Sequence, residues 1–438
     1  MVCLKVQYRT TDLSVTVTNN AAASNHFKAR GLAPLRMDKD GSIMLDPALA
    51  LKPKTLRVRI SEDGQIKGTS RLPIEGEAKQ VAIEKTIQLA RDSLFEEELY
   101  HEMSLETRHL LAYGVDFRDS VISVDASGTS GRHRQRKLLI DCIPREEPIS
   151  GSKDHSFDWL AQNVAEGLRL WLAHEHSMRL YRRSQLPPPL SSQKREQPTP
   201  QLLRSLLAII RHLEDVDSLY SYLETVVRSL GSAGLNVKLE STRETAWASL
   251  AESLKAPSTR AISATDQLLE MFLKPFDGRA TLSLLSPSNA QAEDLIVSTR
   301  TVIGQPTFGT EHKLTLPSSL TTDLGLFQQV KFSSVEEIVS YLDWILALHI
   351  AHRHLRNQFS SRAIVKGNEP RITIHNKGGK KGAAGSTDLI VELHEGELMV
   401  IATMTDLQDA VGEAQQSYTW NGQERATTLG EQVKSWVG

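Results

Sequence analysis

The chain has 438 residues, and its 51 basic and 53 acidic side chains give a formal net charge of -2. A content of 40% hydrophobic and 24% charged residues is typical of a globular protein and excludes a disordered chain, while the near-neutral charge gives no reason to expect a polyanionic partner. Two cysteines are too few for a disulfide framework or a four-cysteine zinc site, and no apolar run approaches the roughly 20 residues that span a membrane.

Residues 1–75 are predicted to form strands and hairpins. Leu56, Val58 and Ile60 alternate with polar residues, as in a strand with one buried face. Asp63-Gly64 is a tight-turn dipeptide, so we expect the chain to return at this point in a second strand.

A long amphipathic helix is predicted over about 77–106. Its apolar residues recur at i, i+4, i+7 and i+11: Ile83, Ile87, Ala90 and Leu94. Gly114 breaks this pattern, and short strands are predicted to follow it.

A basic run lies between two of these predicted strands, Val121–Val124 and Leu138–Ile143. Its candidate partner-binding residues are Arg132, Arg134, Arg136 and Lys137. A contact with a phosphate or an acidic partner is the functional interpretation. The structural alternative is a solvated hairpin tip, which the usual placement of charges in loops favours.

A second long helix is predicted over about 154–183, and a proline-rich segment follows it. Residues 184–200 contain five prolines, too many for a helix or a central strand. We therefore predict an amino-terminal α+β unit at 1–183, a linker at 184–200 and a carboxy-terminal α+β unit at 201–438.

The most apolar helix is predicted at Gln201–Leu230, with a break near Asp215–Ser218. Its apolar face is wide, which indicates contact with more than one neighbouring element. The pattern does not separate core residues from residues that bind a partner. The candidates for partner binding on this helix are Leu202, Leu206, Ile209, Ile210 and Leu213.

The rest of the chain alternates in the same way, which makes the predicted fold class α+β, with long amphipathic helices packed on short, mostly antiparallel strands. Further strands are predicted at Val237–Leu239, Leu282–Leu285, Leu295–Val297, Arg371–His375 and Asp388–Met404. Ser333–Glu336 is a predicted capping box that opens a helix running to about Phe359, and a last helix is predicted at Thr427–Val437. An echo between Leu172–His176 and Ile350–His354 has two explanations, an internal duplication or chance.

No set of side chains in the sequence indicates catalysis or metal binding. His101-Glu102 begins like a zinc-binding H-E-x-x-H motif, but Leu105 stands where the second histidine belongs. His349 lies on an apolar helix stripe and is interpreted as a core histidine. The glycine- and lysine-rich segment 376–387 lacks the residue order of a phosphate loop. We therefore predict a protein that is not an enzyme and that binds no cofactor or metal.

Three segments carry a resemblance to a known family, and they occur in the same order as in that family. They are Ala90–Val115, Arg204–Leu235 and Val330–Leu346. The chain resembles the carboxy-terminal part of the Mediator complex subunit 17 family. Because members of that family usually carry a further helical region before this part, we expect the chain to be truncated or an unusually short member.

The resemblance implies a non-enzymatic scaffold of the Mediator head module that acts in the nucleus. Such a scaffold would be a transcription coactivator that bridges regulators and RNA polymerase II. The resemblance also implies contacts with Mediator subunits 6, 8, 11 and 22.

The alternative function is a nucleic-acid-binding protein that uses the basic loops 132–137 and 377–381. The near-neutral net charge argues against direct binding of nucleic acid. Salt-sensitive binding that is lost when the loop charges are neutralised would favour this alternative over the scaffold.

Overall fold

A computed structural model describes seventeen segments of the chain. They are 7–9, 12–16, 25–28, 32–37, 43–45, 53–71, 83–125, 136–145, 155–184, 201–243, 276–285, 292–302, 309–365, 367–375, 386–405, 414–423 and 427–437. The predicted linker at 185–200, the basic residues at 132–135 and the loop at 376–385 lie outside them.

The chain divides into two compact units, each of which is described separately. The first contains the described residues up to Leu207, and the second contains those from Ala208 onward. Helix α4 (Leu202–Ser232) contributes residues to both.

The first unit combines two antiparallel sheets with long helices. Its elements are β1 (Gln7–Arg9), β2 (Asp12–Thr16), α1 (Asn25–Lys28), β3 (Leu32–Met37), β4 (Ile43–Leu45), β5 (Lys54–Glu62), β6 (Gln65–Thr69), α2 (Ile83–Glu106), β7 (Val115–Arg118), β8 (Val121–Asp125), β9 (Arg136–Pro144) and α3 (Asp158–Ser184). One sheet has the strand order β1-β2-β3-β4, and the other has the order β6-β5-β9-β8-β7.

The predicted hairpin of the first unit is confirmed. Leu56, Val58 and Ile60 are buried on one face of β5. Asp63 and Gly64 have positive φ values of 49° and 79°, as a tight hairpin turn requires, and β6 returns directly from them. Helices α2 and α3 both pack on β5.

The second unit contains two five-stranded antiparallel meanders. Its elements after α4 are β10 (Val237–Thr242), β11 (Asp277–Leu285), β12 (Ala292–Val302), β13 (Gly309–Thr315), α5 (Ser318–Leu324), β14 (Gln329–Phe332), α6 (Val335–His349), β15 (Ala363–Val365), β16 (Arg371–His375), β17 (Ser386–His394), β18 (Glu397–Thr405), β19 (Ala414–Trp420) and α7 (Leu429–Val437). In each sheet the strands lie side by side in sequence order, β10 to β14 and β15 to β19.

The predicted helix break at Asp215–Ser218 is wrong. Helix α4 continues through this segment, because Val216 and Leu219 are only 1% and 0% exposed within the core of the second unit. The helix therefore keeps its apolar periodicity across a stretch whose polar residues had suggested an end.

Helix α6 begins with a capping box one residue later than predicted. The Ser334 hydroxyl accepts a hydrogen bond from the Glu337 amide, and the Glu337 carboxylate accepts one from the Ser333 amide. The helix continues through one π-helical turn, Ile350–Leu355, and ends with an α-helical segment, Arg356–Gln358, close to the predicted end.

The predicted α+β fold class is confirmed, and every described strand pair is antiparallel. The internal duplication and the domain boundaries stay predictions. None of the described helices is both long enough and apolar enough to cross a membrane.

Candidate interaction surface on helix α3

Helix α3 presents one regular stripe of exposed residues. Between Asp158 and Leu180 its exposed residues are separated alternately by four and three positions: Trp159, Asn163, Glu166, Leu170, Ala173, Ser177 and Leu180. This is the spacing of the a and d positions of a coiled-coil heptad, so the seven side chains lie on one face. We call this set the α3 stripe.

The α3 stripe contains three large apolar side chains among smaller and polar ones. Trp159 is 63% exposed, Leu170 41% and Leu180 37%. At 1.5 Å per residue, Trp159 and Leu180 lie about 30 Å apart along the helix axis. Asn163, Glu166 and Ser177 lie between the large apolar side chains, so the stripe offers separate apolar contact points to a partner.

The exposed faces of two other long helices are different in character. On α4 the exposed residues after Gln201 are Leu213, Asp217, Ser221, Glu224, Arg228 and Gly231, and on α6 they are Glu336, Glu337 and Ser340. Large exposed apolar side chains also occur on the other long helices, Leu105 on α2 at 40% and Leu213 on α4 at 49%, so α3 differs only in carrying three of them.

Hydrogen bonds to β6 fix the first turn of α3. The Asp158 carboxylate accepts from the amides of Thr69 and His155, at 2.7 and 2.8 Å, and the Phe157 amide donates to the Lys67 carbonyl at 3.0 Å. These bonds tie the first residue of α3 to β6 and so set the position of Trp159 next to it.

Gly68 allows β6 to approach the start of α3. A Cβ atom at this position would lie 2.5 Å from the Phe157 carbonyl oxygen, which is too close for any side chain. Only glycine fits here, because the atoms that a Cβ would meet include backbone atoms of Phe157, which cannot move aside on their own.

An ion pair between α2 and α3 fixes the middle of α3. The Arg169 Nε donates to Glu96 Oε1 at 2.7 Å, and Glu96 Oε2 accepts from the Leu56 amide of β5 at 2.9 Å. The two side chains are 18% and 8% exposed. Burial acts to lower the pKa of Arg169, but the Glu96 carboxylate outweighs it and raises that pKa above its ordinary value.

Further ion pairs hold the last turns of α3 to α2. Arg179 lies 3.2 Å from both Glu98 and Glu102, and the His176 Nε2 also lies 3.2 Å from Glu98. These ion pairs tie α3 to α2, and Arg169 also pairs with Glu166 of the α3 stripe at 2.8 Å, so the stripe is presented on a fixed support.

The end of α2 caps the start of α4. The Glu106 carboxylate accepts hydrogen bonds from the amides of Leu203 and Arg204, both at 2.8 Å. Burial raises the pKa of Glu106 to about 7, although these amide bonds act to lower it. The carboxylate thus satisfies amides that an α-helix leaves without partners at its start.

The predicted partner-binding residues of α4 are distributed between core and surface. Leu202 and Leu206 are buried, at 1% and 7% exposure, Ile209 and Ile210 are half-buried, and Leu213 is 49% exposed. Leu213 alone among these five presents about half of an apolar side chain on the exposed face.

Of the predicted basic partner-binding residues, only Arg136 and Lys137 lie in the described segments. Arg136 donates to the Glu62 carboxylate at 2.7 Å, and its guanidinium carbon lies 4.8 Å from the centroid of the Phe157 ring. Lys137 is exposed, whereas Arg132 and Arg134 lie outside the described residues. The charge of Arg136 is therefore engaged within its own unit.

Two histidines considered in the sequence analysis, His101 and His349, contact other side chains of the fold. The His101 ring stacks on His26, with centroids 4.9 Å apart, and His349 hydrogen-bonds to Glu293 at 3.2 Å. Cys142 is half-buried, and burial raises the pKa of its thiol to about 12. Within the described segments, no group of three or more His, Cys, Asp or Glu residues is placed to hold a metal.

The α3 stripe was not predicted from the sequence. Leu168 and Trp171 lie on the inner face of this helix and are buried, at 0% and 7% exposure. Trp159, Leu170 and Leu180 lie on the exposed face, 11 and 10 positions apart, and so wide a spacing gives no apolar periodicity from which the surface could have been predicted.

Fold and surface together define an α+β protein whose long third helix presents exposed residues at heptad spacing, three of them large and apolar. The family model described as subunit 17 of the Mediator complex matches residues 5–230, more than half of the chain. The chain belongs to this family.

Relatives with the same description occur among fungi. The chain is 34% identical over 296 residues to "Mediator of RNA polymerase II transcription subunit 17" of Neosartorya fischeri, and 32% identical over 293 residues to the protein of that name from Aspergillus terreus. Each alignment covers 66% of this chain but only 44% of the relative. The chain thus spans less than half the length of these relatives.

A solved structure shows a weaker likeness. A chain in the structure of the Schizosaccharomyces pombe Mediator head module is 14% identical, with a TM-score of 0.49, over 77% of this chain and 70% of that chain. A likeness at this level adds nothing to the family assignment.

Proposed function

We propose that the chain is a non-enzymatic scaffold subunit of the Mediator complex that binds helical segments of other subunits. The α3 stripe is the observation that carries this proposal, because its heptad spacing suits a helix packed side by side with α3. Within the complex the scaffold serves as a transcription coactivator in the nucleus and helps to bridge regulators and RNA polymerase II. Family membership supports this role.

Mediator subunits 6, 8, 11 and 22 are the proposed partners. A helix with apolar residues at a and d positions would bury Trp159, Leu170 and Leu180, which are large enough to act as anchors of an interface. The ion pairs between α2 and α3 support the proposal, since a rigid helix loses little conformational freedom when a partner binds.

Of the two basic loops of the nucleic-acid alternative, only Arg136 and Lys137 lie in the described segments. Arg136, the best described member of its basic run, is already paired with Glu62. Binding through an apolar stripe and binding through phosphates are distinguished by salt, because only phosphate contacts weaken steeply as the salt concentration rises.

Co-expression of the full chain with the four candidate subunits tests the proposal. We expect a stoichiometric complex in size-exclusion chromatography with mass detection that survives high salt. The variant Leu170→Glu should weaken the complex by at least tenfold, because it places a charge in the centre of the apolar interface.

Ser221→Glu on the exposed face of α4 is the matched control, and it should leave the complex intact. Retention of every partner by a folded Leu170→Glu chain would exclude the α3 stripe as the interface. Failure of the wild-type chain to bind any candidate would exclude the scaffold role proposed for it.

A further inference from the structure

A polar cavity lies beside the π turn of α6 in the second unit. Its volume is about 130 Å³. It is lined by Leu320, Leu324, His352, Arg353, Arg356 and Asn357. A water molecule occupies about 30 Å³ in the liquid, so the cavity has room for a small polar group.

The cavity combines apolar residues of α5 with cationic residues of α6. Leu320 and Leu324 are 1% and 7% exposed and belong to the core of the unit. Arg356 and Asn357 are exposed, and Arg353 is half-buried. Such a lining suits a ligand with a short hydrocarbon stem and a negatively charged end.

The two arginines differ in how far their charge is compensated. The Arg353 guanidinium lies 3.9 Å from Glu293, a carboxylate that already accepts from His349 at 3.2 Å. Arg356 makes no ion pair with any residue in the described segments. The cavity therefore keeps an excess of positive charge.

His352 contributes a neutral ring to the cavity near pH 7. Its Nε2 donates to the Glu369 carbonyl at 3.1 Å. Burial lowers the pKa of His352, and the nearby positive charge of Arg356 lowers it further. The attraction for an anion consequently comes from the guanidinium groups.

The π turn is itself unusual in this helix. Residues Ile350–Leu355 form it, and His352 and Arg353 lie within it. π-Helical turns are rare and occur frequently at functional sites, where they change the direction of side chains relative to a regular helix.

We propose that this cavity binds one oxyanion carried on a side chain of a partner protein, either a carboxylate or a phosphate. The Arg356 guanidinium binds the oxyanion, and the stem of the side chain lies on Leu320 and Leu324. A guanidinium presents a fork of N–H donors that matches the two oxygens of such a group. This site is separate from the α3 stripe and does not depend on it.

A protein side chain fits the cavity better than a nucleic acid does. A nucleic-acid backbone needs a row of cations, because it carries a phosphate at every nucleotide. The lining of this cavity offers two arginines and not a row of cations, and one of them, Arg353, already lies 3.9 Å from Glu293.

Thermal unfolding of the full chain with short peptides at millimolar concentration tests the proposal. The peptides have one sequence and differ at a central position, which is Glu, phosphoserine or Gln. A ligand that binds only the folded state raises the unfolding temperature. We expect an increase with the Glu or the phosphoserine peptide and none with the Gln peptide, and the larger increase identifies the source of the oxyanion.

Arg356→Gln should remove the increase, and Arg356→Lys should reduce it, because a lysine keeps the charge without the fork. Arg108→Gln, at an exposed arginine of the first unit, is the matched control and should keep it.

An equal increase with the Gln peptide, or one unchanged in Arg356→Gln, would overturn the proposal. Inorganic phosphate that acts as strongly as the peptides would show a small-anion site and overturn the assignment to a protein side chain.

Discussion

Glu106 accepts two amide hydrogen bonds at the start of α4 while its surroundings exclude water. Burial disfavours the charged carboxylate, and the amides favour it. Burial has the larger effect, so the pKa of Glu106 is raised to about 7 from an ordinary 4.5. This cap joins residues 97 and 98 positions apart in the chain, and no local pattern could have predicted it.

Replacement of Glu106 by glutamine should change the pH dependence of stability. Between pH 4.5 and 7 the folded state binds a proton that the unfolded state has released, so the free energy of unfolding falls as the pH rises through this range. The change amounts to on the order of 3 kcal/mol. Urea unfolding at several pH values should show this slope in the wild type and lose it in Glu106→Gln.

The comparison with wild type is needed because other buried groups titrate in the opposite direction. Burial lowers the pKa values of His212 and His312 to about 4, so their contribution to stability is lost as the pH falls from 6.5. Glu224→Gln, an exposed carboxylate on α4, serves as control. Equal slopes for the wild type and Glu106→Gln would contradict the assigned pKa.

At the scale of elements, the start of α3 depends on close contact with β6. Gly68→Ala would place a methyl group 2.5 Å from the Phe157 carbonyl oxygen. Relief of this overlap must move backbone that carries the hydrogen bonds of Thr69 and Lys67.

We expect Gly68→Ala to lower the free energy of unfolding by about 1–3 kcal/mol, the usual cost of overpacking. Hydrogen exchange should also become faster in the first turns of α3. Gly167→Ala is the control, because a Cβ atom at this exposed-side position meets nothing within 4 Å. Unchanged exchange near Asp158 in Gly68→Ala would show that the contact is not tight.

Most helices and strands could be predicted from the periodicity of apolar residues, whereas their ends and their contacts with distant residues could not. The alternation in β5 and the apolar stripe of α2 reflect burial of one face, which sequence spacing records directly. The continuity of α4 through Asp215–Ser218 depends on the packing of Val216 and Leu219 in the core of the second unit, and that packing is a property of distant residues. The charges of Arg136 and Arg169 likewise meet partners more than 70 positions away.

The candidate surface was harder to predict than the fold. Leu202 and Leu206 belong to an apolar helix face and proved to be buried, while the exposed apolar residues of α3 interrupt a mostly polar face. Apolar residues are a sign of burial, and only the structure shows which of them are left uncovered.

At the scale of the whole molecule, the division between the compact units falls inside α4. Leu207 belongs to the first unit and Ala208 to the second. We therefore propose a boundary a few residues after the predicted start of the carboxy-terminal unit at 201, because Leu202, Leu203, Leu206 and Leu207 are buried residues of the first unit.

Two carboxy-terminal fragments test this boundary. Fragment 201–438 would expose the four leucines to water, and fragment 208–438 would omit them. We expect the shorter fragment to be the more soluble and the less prone to associate in size-exclusion chromatography. Equal solubility of the two fragments would favour a boundary in the predicted linker at 184–200.

The π turn of α6 has a consequence for how chain length can vary in this region. A π turn is closed by i to i+5 hydrogen bonds, so it holds one residue more than an α-helical turn. Loss of a single residue from Ile350–Leu355 would restore a regular helix and rotate Arg356 by about 100° around its axis. Relatives that are one residue shorter in Ile350–Leu355 would keep the helix, but its last turn would point in another direction. The number of residues in this segment therefore matters as much as their identity.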